Sequence, residues 1–325
     1  MLLAGIEIGG TKIQVVVGVA TGRIIARRVF GVDRGAGAAG IRRQILEGLG
    51  ELRSKHRFSA IGIGFGGPID WRTGRVAKSH HIGGWEGFPL AGWLRSRFRV
   101  PVRADNDANV AVLAEAIVGV GKGRDPVFYL TIGSGIGGGI VREGRIYHGR
   151  YPGEVEIGHT RVPRPDLRPA RWPILEDLCS GWSLDRQIRS IARSKPRSFF
   201  ARLIGKHGPG KEARFLAEAL RRRDPEAVRV WNGLCRHLAL GLSHIVHLFH
   251  PEILVLGGGV THLGTRLIHD LRRSLDPIVM AAHQGTFRVC LTELGEDVVP
   301  TGALLLAAEG LRCRKGGLTG RPGCA

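Results

Sequence analysis

Two stretches decide how this chain folds: GIEIGGTKIQVVVG at residues 5–18 and FYLTIGSGIGGGIV at residues 128–141. Each sets a glycine-rich turn between two apolar, largely β-branched runs, the pattern of a strand, a tight turn and a returning strand. The first turn is Gly9, Gly10, Thr11 and Lys12; the second is Gly133, Ser134, Gly135, Ile136, Gly137 and Gly138. A shared tripeptide closes both units, Gly22-Arg23-Ile24 and Gly144-Arg145-Ile146, so one hairpin unit is read as used twice. Glycine lets a backbone turn sharply and come close to a ligand, and two such turns suit the backbone N–H groups of a polyphosphate clamp.

The residues after the glycines exclude two common nucleotide sites. Gly133, Gly135 and Gly138 fit G-x-G-x-x-G, but Gly139, Ile140 and Val141 continue as a strand where a dinucleotide fingerprint opens a helix. Lys12 comes after only Gly9-Gly10-Thr11, so there is no P-loop.

At 325 residues the chain has room for about two domains, and its apolar content of 43% is that of a globular protein. Met1 to Ala4 lead straight into a strand carrying Glu7, without the pattern of a signal peptide, and no apolar run reaches membrane-spanning length. A soluble, cytoplasmic protein with no membrane partner is the expectation. The five cysteines (Cys179, Cys235, Cys290, Cys313 and Cys324) are odd in number, widely spaced and without a C-x-x-C pair. That argues against a disulfide framework or a zinc knuckle. The formal charge of +20 would attract polyanions, but its arginines are spread along the chain without interleaved aromatics. Nucleic acid is therefore not the expected partner.

Along the chain, the predicted elements alternate. Strands are expected from Leu3 to Ile25 and on to Val32, a helix over Gly37–Lys55, and a buried strand over Ala60–Phe65. A helix at Leu90–Phe98, a strand at Val100–Ala104 and a helix from near Asp107 to Gly119 complete one α/β half. The second half restarts at Val127, continues through a long helical region over Gly181–Leu248, a strand at Ile253–Leu256, a helix near Leu263–Leu275 and a strand around Phe287–Leu291. This places an N-terminal α/β domain at residues 1–119 and a second with a helical insertion at 120–300. A last helix at about 301–311 is expected to pack back on the first domain, and 312–325 reads as a disordered basic tail.

Seven segments then carry a resemblance. EIGGTK (Glu7–Lys12), GFGGPID (Gly64–Asp70), DNDAN (Asp105–Asn109), TIGSGIGGGIV (Thr131–Val141), EIGH (Glu156–His159), LED (Leu175–Asp177) and ILVLGGGV (Ile253–Val260) stand in the order and spacing of the ROK group. That group comprises sugar kinases and sugar-responsive repressors, and the resemblance spans about residues 3–310. It implies duplicated actin-like, ribonuclease-H-like α/β domains around a central cleft, with ATP and Mg²⁺ between the glycine hairpins, a hexose bound deeper, and a homodimer. By the same resemblance Asp107 is the general base of a glucokinase-type transfer to a hexose hydroxyl, the 6-OH. An aspartate before an apolar helical run is also a common N-cap, and one carboxylate can serve both roles. Gly9, Gly10, Thr11, Lys12, Gly133, Ser134 and Gly135 would meet phosphates, and Glu7, where the superfamily often has Asp, would reach a metal-bound water. Gly257, Gly258 and Gly259 would edge the adenosine, and Gly67, His81, Asn106, Asp107, Glu156, His159 and Glu176 would bind the sugar.

The chain departs from the family at three places. The interval Arg161–Ile174 lacks the cysteines that with the histidine bind structural zinc in most members, so zinc is not expected there and the loop must be held otherwise, by salt bridges or a partner subunit. Val155 stands where the family prefers Gly, and His81 where it commonly has Asn. Two other readings of the family exist: a sugar-sensing regulator, which would carry an N-terminal helix-turn-helix before its first strand, and a catalytically silent sugar-binding protein. Which hexose is used, and whether polyphosphate can replace ATP, the motifs leave open.

Overall fold

The computed structural model describes residues 1–77, 82–163, 172–208 and 211–315. Two compact units emerge: Met1–Tyr129 with Gly139–Val155 and the chain from Glu293 onward, and Leu130–Gly138 with Glu156–Thr292. Twelve strands and ten α-helices are assigned among the described residues.

The first unit is built on β1 (Leu2–Ile8), β2 (Lys12–Val19), β3 (Ile24–Gly31), β4 (Phe58–Phe65) and β7 (Val102–Asn106), in the order β3-β2-β1-β4-β7. A short hairpin, β5 (Ile69–Asp70) with β6 (Arg75–Val76), lies between β4 and β7 in the chain. The β1–β2 pair is antiparallel, whereas β1–β4 and β4–β7 are parallel. Strands β1, β2 and β4 are buried nearly end to end, which explains their mostly apolar runs: both faces of the sheet are covered. On one face Ala4, Ile6 and Ile8 join Ile41, Ile45 and Leu49 of α1 (Gly37–Lys55) and Leu94 and Phe98 of α2 (Leu90–Phe98). On the other, Leu3, Val16 and Ala60 meet Leu304, Ala307 and Ala308 of the last helix, α10 (Val298–Lys315). Helix α10 also packs on α3 (Asp107–Ile117).

This contact is backbone-close. A methyl group built on Gly62 would stand 1.9 Å from the carbonyl oxygen of Ala303, and one on Gly302 would stand 1.9 Å from that of Val110. The apolar pattern predicts this helix at 301–311; it begins at Val298, packs on β1, β4 and α3, and runs to Lys315. Its last turn thus replaces the start of the expected disordered tail, and residues 316–325 lie outside the described residues.

A second sheet has the order β10-β9-β8-β11-β12, with β8 (Val127–Ile132), β9 (Ile136–Arg142), β10 (Arg145–Ile146), β11 (Ile253–Gly257) and β12 (Arg288–Leu291). Strand for strand it repeats the first. The two Gly-Arg-Ile tripeptides occupy matching turns, with Gly22 at φ 85 and Gly144 at φ 70, where a left-handed backbone favours glycine.

The helical region of the second unit comprises α4 (Leu175–Cys179), α5 (Gly181–Ser194), α6 (Phe199–His207), α7 (Leu216–Arg221) and α8 (Pro225–Phe249). Helix α8 starts where Asp224 accepts from the N–H of Ala227 at 2.9 Å, and it ends at left-handed His250. Helix α9 (Thr265–Leu275) packs along it, pinned by Trp231 Nε1 donating to Asp270 at 2.7 Å. Cys179 and Cys235 are free and buried in this unit. Burial pushes the Cys235 thiol up to about 12 and raises Cys179 as well, so both remain protonated, inert packing groups. None of the helices among the described residues is long and apolar enough to cross a membrane.

Candidate active site

In the first unit the parallel strands bring their carboxyl ends to one edge, where ligands of α/β sheets bind. Register aligns Gln14, Glu7, Gly64 and Asp105 across β2, β1, β4 and β7. Beyond this row the chain turns three times. Gly9 N–H donates to the Lys12 carbonyl at 3.0 Å, closing the β1–β2 turn, and Gly66 N–H donates to the Ile8 carbonyl at 2.8 Å. A methyl built on Gly66 would stand 3.1 Å from the Ile8 oxygen, 3.4 Å from Oδ2 of Asp107 and 3.7 Å from Cα of Gly9. The Gly9–Lys12 turn, the Gly66-Gly67 turn and Asp107 therefore converge.

Helix α3 shows which residue caps it. Asn106, in extended conformation, accepts from the N–H groups of Ala108 and Asn109, so the N-cap is Asn106 and not Asp107. Its Nδ2 donates to the Gly67 carbonyl at 3.2 Å, tying the two turns together. Asp107 is left in the first helical position with Oδ1 on the N–H of Ala108 at 2.9 Å and Oδ2 toward Gly66. A carboxylate there also sits favourably at the positive end of the helix.

Glu7 is the second carboxylate of this edge. Gln14 Nε2 donates to it at 2.7 Å and also contacts the Glu296 carbonyl at 3.2 Å, while Lys12 Nζ pairs with the Glu296 carboxylate at 3.1 Å. Burial holds the Glu7 carboxyl above its ordinary value of 4.5, against the opposing pull of Lys12 and the Gln14 hydrogen bond. A raised acid binds its proton more tightly folded than unfolded. Stability therefore falls as pH rises from 4.5 through the folded value, and above it the buried charge is a standing cost. Glu7→Gln is expected to melt above wild type at pH 8, with the difference vanishing as pH approaches 4.5. Thermal melts across that range check it, and a variant that melts lower at pH 8 contradicts it.

In the second unit the hairpin turn is closed by Gly133 N–H on the Gly135 carbonyl at 2.9 Å. Glu176 lies directly beneath it: Oε2 accepts from the N–H of Ile136 at 2.7 Å, and a methyl on Gly135 would meet that oxygen at 2.5 Å. The sugar ligand inferred from the family thus has one oxygen committed to the hairpin backbone. Glu156 is half-buried and precedes a 3-10 turn at Ile157–His159, whose last residue, His159, is exposed. Gly158 between them allows close approach, since a methyl there would meet the Ile136 carbonyl at 2.3 Å. Gly258, at φ 83, runs against the backbone of Ile132 in the same way.

The base of the cysteine-free loop is held by backbone pairing. Leu175 N–H donates to Thr160 and Val162 N–H to Pro173, each at 2.9 Å, and Arg161 Nη1 donates to the Trp172 carbonyl at 2.8 Å. These bonds close the loop at its described base. Residues 164–171 and the sugar-ligand candidate His81 lie outside the described residues. Val155 adopts φ 58, a left-handed backbone that a β-branched residue enters only under strain and that glycine enters freely.

Sequence reasoning missed three participants: Glu296, which partners Lys12 from the far end of the chain, and His148 and Glu154, which gather on Asp105 and Asn109. The first has no local signal. The others could have been suspected from polar residues crowding the segment just before EIGH.

With this geometry in view, comparison with known proteins gives the class. The ROK family profile matches residues 3–309, and the chain belongs to the ROK family. The glucokinase of Thermotoga maritima is 31% identical over 310 residues, covering 94% of this chain and 97% of the relative. The glucokinase of Halalkalibacterium halodurans is 30% identical over 317 residues, covering 94% and 95%. A crystal structure of a ROK family glucokinase from Streptomyces griseus, in complex with glucose and AMPPNP, superposes with a TM-score of 0.82 at 30% identity, covering 95% of this chain and all of that one. The duplicated actin-like fold expected from the motifs is the fold of these neighbours.

Proposed function

We propose that this protein is an ATP-dependent hexose kinase of the glucokinase type, transferring the γ-phosphoryl group to the sugar 6-OH with Asp107 as general base. The observation that carries the reading is the placement of Asp107: Asn106 takes the capping role, and Asp107 Oδ2 faces the Gly66 turn beside the phosphate turn. In the step, Asp107 accepts the hydroxyl proton as the sugar oxygen bonds to the γ-phosphorus. The bond from that phosphorus to the β–γ bridging oxygen breaks, releasing ADP.

The backbone of Gly9, Gly10 and Thr11 with the Lys12 ammonium would bind phosphate oxygens, as would Gly133, Ser134 and Gly135. Lys12 is held by Glu296 and would exchange that partner for phosphate oxygens. Gly257, Gly258 and Gly259 would border the adenosine. Gly67, Asn106, Glu156, His159 and Glu176, with His81, would bind the sugar hydroxyls. Glu7 suits Mg²⁺, because a buried carboxylate held above its ordinary range gains from a nearby cation. Bound Mg²⁺ neutralises charge on the transferring phosphate. A cytoplasmic homodimer belongs to the same proposal.

The test is a panel of glucose, mannose, fructose, N-acetylglucosamine and N-acetylmannosamine with MgATP, read by ADP release. At least one sugar should stimulate release well above the sugar-free rate. Sugar-independent ATP hydrolysis, or none with any sugar, overturns the reading.

A further inference from the structure

A chain of contacts, one ring stack and then hydrogen bonds, runs from the β5–β6 hairpin to the start of α3, through residues to which the family motifs give no role. Asp105, 3% exposed, sits at the end of β7. Its Oδ1 accepts from the backbone N–H of Asn106 at 2.8 Å and from Nδ2 of Asn109 at 2.9 Å. Its Oδ2 lies 2.7 Å from Nε2 of His148, and since a carboxylate accepts, the imidazole donates. A face of that imidazole is covered by Trp71, with ring centroids 4.2 Å apart and planes inclined by 19°. Trp71 is fixed in turn: Asp70 accepts from the N–H of Arg72 at 3.0 Å and from Thr73 Oγ1 at 2.8 Å, and the Arg72 guanidinium lies 4.6 Å above the indole.

The segment carrying His148 is tied down a second time. Glu154 Oε1 accepts from the same Asn109 Nδ2 at 2.7 Å. Immediately after it Val155 holds its strained backbone, and such strain persists only where the surroundings over-determine the position.

We propose that His148, backed by Trp71, is a positioning residue that holds Asp105 and through it the Asn106–Asp107 corner. The side-chain bonds of Asp105 end on Asn106, on Asn109 in the first turn of α3 and on His148, so removing the imidazole leaves a buried carboxylate short of a donor at the base of that turn. The corner then shifts or loosens, and a displacement on the order of 1 Å at a reacting group costs about 100-fold in rate.

A divalent cation held by Asp105, His148 and Glu154 is the other use of such a trio, whose donor atoms lie within 4.8 Å of one another. The distances favour the hydrogen-bonded network. His148 and Asp105 stand 2.7 Å apart, closer than the roughly 3.3 Å between ligands on a tetrahedral zinc, and an amide N–H already occupies the space between the carboxylates.

The catalytic part of this inference rests on the kinase reading; the structural part does not. The experiment compares wild type, His148→Ala and His148→Gln, the last able to return an N–H near the lost Nε2. Hydrogen exchange of peptides spanning 105–113 and turnover with the preferred sugar are read together. His148→Ala should exchange about 10-fold faster over 105–113 with β1 unchanged, and lose about 10- to 100-fold in kcat at an unaltered KM for ATP. His148→Gln should recover most of both. Unchanged exchange overturns the proposal, as does faster exchange with unchanged kcat. If His148→Ala loosens throughout, Trp71→Leu replaces it, with the same pair of readings. If wild type phosphorylates no sugar, the kinase reading falls, and exchange over 105–113 alone decides whether His148 holds the corner.

Discussion

Asp107→Asn is expected to lower sugar-dependent ADP release by about 1,000-fold, within the range that general bases supply. The substitution is nearly isosteric and keeps an oxygen for the N–H of Ala108, while Asn106 retains the cap, so α3 should start unchanged. What is lost is the ability of the oxygen facing Gly66 to take a proton. Steady-state kinetics should show the loss in kcat, with KM for ATP and sugar moving less than about 5-fold, and a melting temperature close to wild type. Activity within about 10-fold of wild type would remove Asp107 from the base role and leave it a structural residue of the first turn.

Gly62→Ala should be among the most damaging single-methyl changes in the first unit. The added carbon would fall 1.9 Å from the Ala303 carbonyl oxygen, against the backbone of a helix that also packs on β1 and α3. Neither partner is a flexible side chain end, so strand and helix must separate, at a cost of about 3 kcal/mol. Gly50→Ala is the matched control: it lies in α1, where a methyl meets nothing within 4 Å, and it should stabilise by about 0.5–1 kcal/mol. Denaturant unfolding of the two variants should therefore shift in opposite directions. A Gly62→Ala protein as stable as wild type would mean that α10 does not press on β4 as described.

Much of this architecture could be read from residues alone, for identifiable reasons. The runs at Leu3–Ile8, Ile13–Val17 and Ala60–Phe65 are apolar apart from Glu7 and Gln14 because their sheet is covered on both faces, and glycine turns bound them. Helix α1 was legible over its full length, since Ile41, Ile45, Leu49 and Leu52 repeat at helical spacing and all face the core. The duplicated hairpin was legible because a left-handed turn calls for glycine at both Gly22 and Gly144.

The hidden features depend on distance in the chain or on choice between neighbours. Asn106 and Asp107 are both good capping residues, and only the extended backbone of Asn106 decides between them. Glu296 reaches Lys12 across most of the sequence, and the apolar run does not mark where α10 ends, at Lys315. The backbone closure of the Arg161–Ile174 loop leaves no mark in composition, because main-chain bonds are open to almost any side chain.

The most direct test of Asp107-assisted transfer to a hexose is ³¹P NMR of the purified protein with MgATP and its best sugar. Matched growth of ADP and of one sugar phosphate ester, coupled to the C6 protons, is the expected result, with no inorganic phosphate beyond the sugar-free control. ATP consumed to ADP and inorganic phosphate alone, or a spectrum unchanged with every hexose, would contradict it.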